Sequence, residues 1–520
     1  VLSFPETALG LEGEIHCSCW EWPARHGREC GEGTLRILTV AAEAAPFAKT
    51  GGLADVTSAL SKSLAKRGHE VAIILPKYLM VDRAGFRTEP IDLPLLFRIE
   101  DEERTGWIHR GQIPGTDVTA YFVVNDHFYN RNGIYSENGR DYPDNLARFS
   151  FFCQSVIQLL KSDEFDADIV HCHDWQTALV PAYLKAVCSN DPDLSRKKTV
   201  FTVHNFAYQG FFPRDQFPIT GLPWHLFNPE ALEFYGDLNL LKAGLVFADW
   251  ITTVSDRYAA EIMTPEFGRG MESIASAHRN RLTGILNGAD YDVWNPATDA
   301  LISAQYSPDD LSGKAVCKAA LQKETGLPVV ADAPVLATVS RLDDQKGLDL
   351  IYSALEMLLL DTDIQFVILG EGQPEYERLF HDLKMRFPEQ VGVFVGHDEE
   401  RAHRIQAGAD LFLMPSRYEP CGLGQIYSMK YGTPPVVRYS GGLADTVRDY
   451  NGAQIDGYGF VFYQMETKDF MQALRRALTV YRDKTAWTAL QRRAMACNFS
   501  WKIAAEKYES LFHQVLEASI

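Results

Sequence analysis

The combinations in this chain that could do chemistry are a lysine next to a glycine pair, histidines beside an aspartate, and an arginine and lysine framing a short turn. Lys49 precedes Gly51 and Gly52; His171, His173 and Asp174 stand together; His204 precedes Asn205; Arg341 and Lys346 flank a polar stretch; and Glu419, Cys421 and Gly422 form a fifth group. A lysine at a glycine-bearing turn supplies positive charge to a phosphate, and the glycines let backbone N–H groups come close to it. Arg341 and Lys346, with Gly347 opening a helix, make a second anion site on the same logic. Together with the carboxylates Asp174 and Glu419 facing one cleft, these cations suit transfer from a diphosphate-activated donor. The cations stabilise charge on the leaving phosphate, and a carboxylate or backbone carbonyl stabilises a cation-like centre. Taken singly, each group has a plainer reading: His204 as a hydrogen-bonded structural histidine, Glu419 as a first-turn helix carboxylate, Cys421 as a small buried hydrophobe.

Each group follows a short apolar run, so the elements that must position them are strands of parallel sheets. Residues 35–42 read as a strand, a loop follows, and Leu53, Val56, Leu60 and Leu64 mark one face of a helix that stops at Arg67-Gly68. With the next strand at 70–75 this is a βαβ unit. Further strands are expected at 168–172, 199–203 and 250–254, and the pattern restarts with 335–340, 365–369, 391–395, 411–414 and 435–437. The fold class is therefore α/β, with two doubly wound halves and ligands bound outside the carboxyl ends of the strands. The sequence GGLAD occurs once in each half, at 51–55 and 441–445, at two strand-to-helix turns, which points to a ligand held between the halves. The expected division is a leader of unknown role at 1–34, a first domain at 35–285, a second at 286–497, and a helical tail at 498–520. The tail presents Phe499, Trp501, Ile503, Tyr508 and Leu511 for packing, with the first half as the expected side.

Composition sets the outer bounds. A chain of 520 residues with 46% hydrophobic and 23% charged side chains can bury two cores. A net charge of −19 disfavours nucleic acid or an anionic membrane as partner. Nine cysteines, an odd number at irregular spacing, fit a reducing compartment. Cys17, Cys19 and Cys30 lack a second pair at zinc-ligand spacing, so no metal is expected there. No apolar run spans a bilayer, and the first twenty residues lack a signal-peptide pattern.

Seven longer motifs carry a resemblance: KTGGLAD at 49–55, HCHDW at 171–175, TVHNFAYQG at 202–210, GILNGADYDVWNP at 284–296, SRLDDQKG at 340–347, PSRYEPCGLGQ at 415–425 and SGGLADTV at 440–447. In this order they resemble the glycogen synthase and starch synthase family, retaining glucosyltransferases of family 5 that extend α-1,4-glucans from ADP-glucose. The connecting text is nearest to the bacterial glycogen synthases. The resemblance implies two Rossmann-like domains facing a cleft, the GT-B arrangement. Glycogen, starch or a malto-oligosaccharide is the implied acceptor. No cofactor or metal is implied, nor a nucleic-acid or membrane partner, and the implied location is the cytoplasm, or a plastid had a transit peptide been removed. Residue by residue, it implies that Lys49 contacts the donor diphosphate or the glucan end, with Gly51, Gly52 and Asp55 beside it. Arg341 and Lys346 would neutralise the distal phosphate of ADP. Glu419 would sit by the transferred glucose, and Cys421, Gly422 and Leu423 would line the sugar pocket through their backbone. Asp174 and His204 would lie across the cleft, Asn287 would join from the seam, and Gly441 and Gly442 would form the second glycine turn. Two departures stand out: Ala54 replaces a glycine of many plant relatives, and His397 stands where a Tyr or Phe usually lies against the adenine. The alternatives are a UDP-glucose-using or small-acceptor enzyme of the same build, and a non-catalytic glucan-binding or initiation scaffold.

Overall fold

The computed structural model describes residues 33–99, 102–451 and 456–518. Cys17, Cys19 and Cys30, and with them the leader as far as residue 32, lie outside the described residues.

Two sheets organise the chain. The first contains β1 (Arg36–Val40), β2 (Glu70–Pro76), β3 (Glu89–Ile99), β4 (Glu102–Gln112), β5 (Thr119–Val124), β6 (Ile169–His173), β7 (Lys198–Val203), β8 (Trp250–Thr253) and β9 (Leu282–Gly284), in the spatial order β9-β8-β7-β6-β1-β2-β5-β4-β3. The second contains β10 (Val335–Val339), β11 (Gln365–Gly370), β12 (Val391–Val395), β13 (Leu411–Met414), β14 (Pro435–Arg438) and β15 (Phe460–Phe462), in the order β12-β11-β10-β13-β14-β15. Central strands such as RILTV and QFVILG are buried almost end to end, as expected where helices cover both faces. In the helix α1 (Gly52–Lys66), which joins β1 to β2, Ala54, Val56, Leu60 and Leu64 face inward.

In each sheet the first strand is flanked by two neighbours reached in opposite directions: β1 lies between β2 and β6, and β10 between β11 and β13. Loops leaving such adjacent carboxyl ends diverge and leave a crevice. In the first half that crevice is bounded by the KTGG loop after β1 and the HCHDW turn after β6. In the second it is bounded by the Arg341–Lys346 turn after β10 and the Glu419–Leu423 loop after β13. The topology alone thus brings four distant motifs into two pairs.

The structure departs from the sequence reading at several places, β9 and β15 among them, which were not expected as strands. Between 76 and 168, where no strand is expected, β3, β4 and β5 form an antiparallel edge on the first sheet. A solvent-facing side hides β3 and β4: β3 carries Pro90 and Pro94, tolerated on an outermost strand, and β4 reads EERTGWIHRGQ with buried positions alternating through its middle; β5, TAYFVV, is a buried apolar run that the sequence reading passed over. The C-terminal helix Trp501–Glu517 packs into the core of the first half through Trp501, Ala504, Ala505, Tyr508, Leu511, Phe512 and Val515. Ile503, expected in that apolar stripe, is exposed, since it falls off the three- and four-residue spacing of the others. Arg67 and His69 anchor the helix by pairing with Glu509. Among the described residues no helix is long and apolar enough to cross a membrane.

Candidate active site

On the second-half wall, Lys346 closes a short turn, Asp344–Lys346, that ends at Gly347 with φ +66°. A side chain at 347 would place its Cβ 2.1 Å from the Pro415 carbonyl oxygen, so glycine alone lets the two loops lie against each other. That contact sets Lys346 Nζ 2.7 Å from Glu419 Oε2, and the Ser416 hydroxyl donates to the same oxygen at 3.0 Å. Both partners are largely buried, with side chains 16% and 8% exposed. Arg341 is the exposed cation: it pairs with Asp343 at 2.9 Å and reaches Tyr208 of the first half at 3.3 Å. Cys421 is buried, which pushes its thiol up to about 12, partly offset by the Asn287 backbone. It is therefore a neutral thiol rather than a nucleophile. Asn287 is itself buried, and its Oδ1 has no partner among the described residues. Gly422, at φ +73°, folds the turn, while Gln425 holds the Cys421 and Gly422 carbonyls ahead of the helix that starts after Leu423. His397 is exposed just beyond the end of β12, two strands out from β10, well to the side of the Lys346–Glu419 pair.

On the first-half wall, Asp174 adopts φ +57°, a conformation uncommon outside glycine, and accepts the His204 backbone N–H at 2.7 Å. Burial pushes its carboxyl up to about 7; the His204 N–H opposes the shift and the nearby charge of Glu43 adds to it. Behind it three histidines form a buried column. His171 and His173 rings lie 4.1 Å apart, His173 Nδ1 is 3.0 Å from His204 Nε2, and His171 Nε2 is 2.6 Å from Thr202 Oγ1. Burial depresses His171 and His204 to about 3, so both rings are neutral at physiological pH. Tyr508 and Phe512 of the C-terminal helix close the column from behind. Lys49 pairs with Asp55 at 2.9 Å along the first turn of α1. Burial raises the Asp55 carboxyl, Lys49 offsets part of that, and Glu399 from the opposite half adds to it.

The two GGLAD turns resemble each other in sequence and differ in role. Gly51 and Gly52 are exposed, with open space where a Cβ would project, so they leave room for a ligand. Gly441 and Gly442 are buried: a Cβ on either would lie 2.0 Å from the carbonyl oxygen of Glu419 or Cys421. Their N–H groups, expected to reach substrate, are already engaged. Gly441 donates to both oxygens of Glu261 at 3.0 and 3.1 Å, and Gly442 donates to the Glu419 carbonyl at 3.0 Å. The second turn therefore shapes the Glu419 loop and holds the Glu261 carboxylate instead of cradling a substrate anion. Gly442→Ala is expected to lose about 1–3 kcal/mol of stability through that clash, and turnover with it. Gly52→Ala should melt within a few degrees of the parent and weaken nucleotide-sugar binding alone. Thermal melts and calorimetry on the two variants check this; a destabilised Gly52→Ala or an unperturbed Gly442→Ala would reverse the assignment.

Sequence reasoning missed Tyr208, Glu261 and Glu43. Tyr208 touches Arg341 across the cleft, and Glu261 ties the first half to the second glycine turn. Glu43 is buried six residues before Lys49, and its carboxylate accepts four hydrogen bonds, three of them from Thr50 and Gly51. The available signal was a carboxylate just beyond a strand end in an otherwise apolar stretch, AAEAAPF.

Known proteins can now be set beside this geometry. Residues 36–277 match the family described as starch synthase catalytic domain, and residues 323–490 match glycosyl transferases group 1. A glycogen synthase of Anaeromyxobacter dehalogenans (strain 2CP-C) is 46% identical over 92% of this chain and 99% of its own length. Glycogen synthase 2 of Geobacter sulfurreducens is 43% identical over 93% and 99%. The catalytic domain of starch synthase IV from Arabidopsis thaliana, solved with ADP and acarbose, superposes with a TM-score of 0.85 at 34% identity, covering 93% of this chain and all of that one. A sucrose-phosphate synthase from Thermosynechococcus elongatus, at 16% identity and TM-score 0.59, shares the fold alone.

Proposed function

This chain belongs to the glycogen and starch synthase family, and from that premise we propose that it transfers glucose from ADP-glucose to the non-reducing end of an α-1,4-glucan with retention of configuration. Its fold is the two-domain GT-B arrangement. The observation that carries the proposal is the buried Lys346–Glu419 pair with Arg341 beside it, at the carboxyl ends of β10 and β13, facing Asp174 and His204. In this reading Arg341 and Lys346 stabilise the charge that gathers on the ADP leaving group. They supply the positive charge a bound metal would otherwise bring, so the transfer needs none. Glu419 is held by Lys346 and Ser416 next to the transferred glucose. Asp174, His204 and Lys49 bind sugar and diphosphate from the other side, and Asn287 reaches in from the seam with its free Oδ1. In the same reading His397 meets the adenine.

Radiolabel incorporation into glycogen from ADP-glucose and from UDP-glucose tests the donor. ADP-glucose is expected to be used faster; equal or faster use of UDP-glucose would overturn that choice, and no incorporation from either would favour the scaffold reading. His397→Tyr should tighten ADP binding by about fivefold, on the order of 1 kcal/mol of extra ring contact. Unchanged affinity by calorimetry would mean that His397 does not face the base.

A further inference from the structure

We infer that Glu43 is a positioning residue for the transfer reaction, acting through Lys49 by holding the exposed tip of the KTGG loop. The inference rests on the reading of Lys49 as a contact to donor or glucan.

The loop between β1 and α1 divides into a packed part and a bare part. Residues 43–48 are anchored: Phe47 is buried edge-on between Phe86 and Phe122 at 4.9 Å, Ala44 and Ala48 pair through their backbones, and the Thr57 hydroxyl of α1 donates to the Glu43 carbonyl at 2.8 Å. Residues 49–52 are exposed, and two of them are glycines with open space around them. An exposed glycine-bearing segment of this kind loses much conformational freedom when fixed. What ties it down is the Glu43 carboxylate, reaching up from the packed part. Oε2 accepts the Thr50 N–H at 2.5 Å and the Gly51 N–H at 3.3 Å, and Oε1 accepts the Thr50 hydroxyl at 2.8 Å. The Tyr135 hydroxyl donates to Oε1 at 2.6 Å and fixes the carboxylate from the far side. Lys49, the residue immediately before this clamp, then starts from a fixed backbone and is aligned along α1 by Asp55.

The arrangement separates geometry from charge. On the Oε2 side both partners are backbone N–H groups, which only donate; on the Oε1 side both are hydroxyls, which donate or accept. A glutamine can therefore keep all four bonds, with its carbonyl oxygen toward the two N–H groups and its amide donating to the two hydroxyls. Alanine loses all four. Aspartate keeps the charge and withdraws the oxygens by one methylene.

The test is a double-mutant cycle on the full chain with Glu43→Ala, Lys49→Ala and both together, assayed with ADP-glucose and glycogen. The assay is run at pH 8, above the Asp174 value of about 7, so that loss of the Glu43 charge leaves Asp174 ionised. Each single variant is expected to lose on the order of 10-fold to 100-fold in kcat/KM, and the double variant to fall within about threefold of the weaker single, because the two substitutions remove one interaction. Glu43→Gln should restore kcat/KM to within about threefold of the parent, and Glu43→Asp should not. If Glu43→Ala fails to fold, Glu43→Asp takes its place in the cycle. Additive losses, or a Glu43→Gln as impaired as Glu43→Ala, overturn the inference. A Lys49→Ala without effect instead overturns the reading of Lys49 on which it rests.

Discussion

Lys346→Ala is expected to lower glucan elongation by on the order of 10²-fold or more and, in the same protein, to remove about 3–5 kcal/mol of stability. Arg341→Ala should match the first loss and show almost none of the second. The two cations differ in surroundings, not in charge. Lys346 lies against Glu419 with both side chains largely out of water, so its removal leaves a buried carboxylate whose remaining charge-neutral partner is the Ser416 hydroxyl. Such an unpaired charge is costly, and Glu419 answers by taking up a proton or drawing in water, either of which spoils its place beside the transferred sugar. Arg341 has a side chain 54% exposed, and its Asp343 and Tyr208 contacts are readily exchanged for water. Single-turnover rates with thermal or urea unfolding on both variants separate the two effects. A Lys346→Ala as stable as the parent would mean that the ion pair carries no structural weight, and near-normal elongation by both variants would remove them from the phosphate site.

The sequence showed which motifs belong together more readily than how they are held. Apolar runs followed by polar turns were enough to expect α/β halves with ligands at the strand ends, because a strand buried on both faces has no polar alternation to mask it. The edge strands β3 and β4 escaped for the opposite reason: about half their positions meet solvent, and the alternation is diluted by charge and proline; β5, TAYFVV, is a buried apolar run that the same rule should have found. Among site residues, Lys49, Asp174, Arg341, Lys346 and Glu419 stand where their motifs place them, around the two switch points. Gly441 and Gly442 show the limit of that reasoning. A glycine that admits a ligand and a glycine that admits a neighbouring carbonyl leave the same mark in sequence, and only the 2.0 Å approach of Glu419 and Cys421 tells them apart. Glu43 and Glu261 were hard to read for a related reason: their contacts to the two glycine turns go through backbone N–H groups, which every residue but proline carries.

His204→Asn should retain about tenfold more activity than His204→Gln, a difference of one hydrogen bond at roughly 1.4 kcal/mol, and His204→Ala should fall on the order of 10²-fold below the parent. The histidines behind the ring set its tautomer. His173 Nδ1 and His204 Nε2 are 3.0 Å apart and both rings are kept neutral by burial, so exactly one of these two nitrogens carries the shared proton. His173 Nε2 has no partner among the described residues. A buried N–H without an acceptor is the costlier defect, so His173 holds its proton on Nδ1 and leaves Nε2 bare. His204 Nε2 then accepts, and its own proton sits on Nδ1, on the edge of the ring turned away from the column. In the proposed reading His204 meets the bound sugar as a donor whose tautomer is set by His173, and it remains so because burial holds its ring neutral down to about pH 3. Asparagine can place an amide N–H near the Nδ1 position, whereas glutamine extends toward the Nε2 position and the His173 contact. Initial rates for the three variants at pH 8, above the Asp174 value of about 7, give the test. A preference for glutamine would put the proton on Nε2.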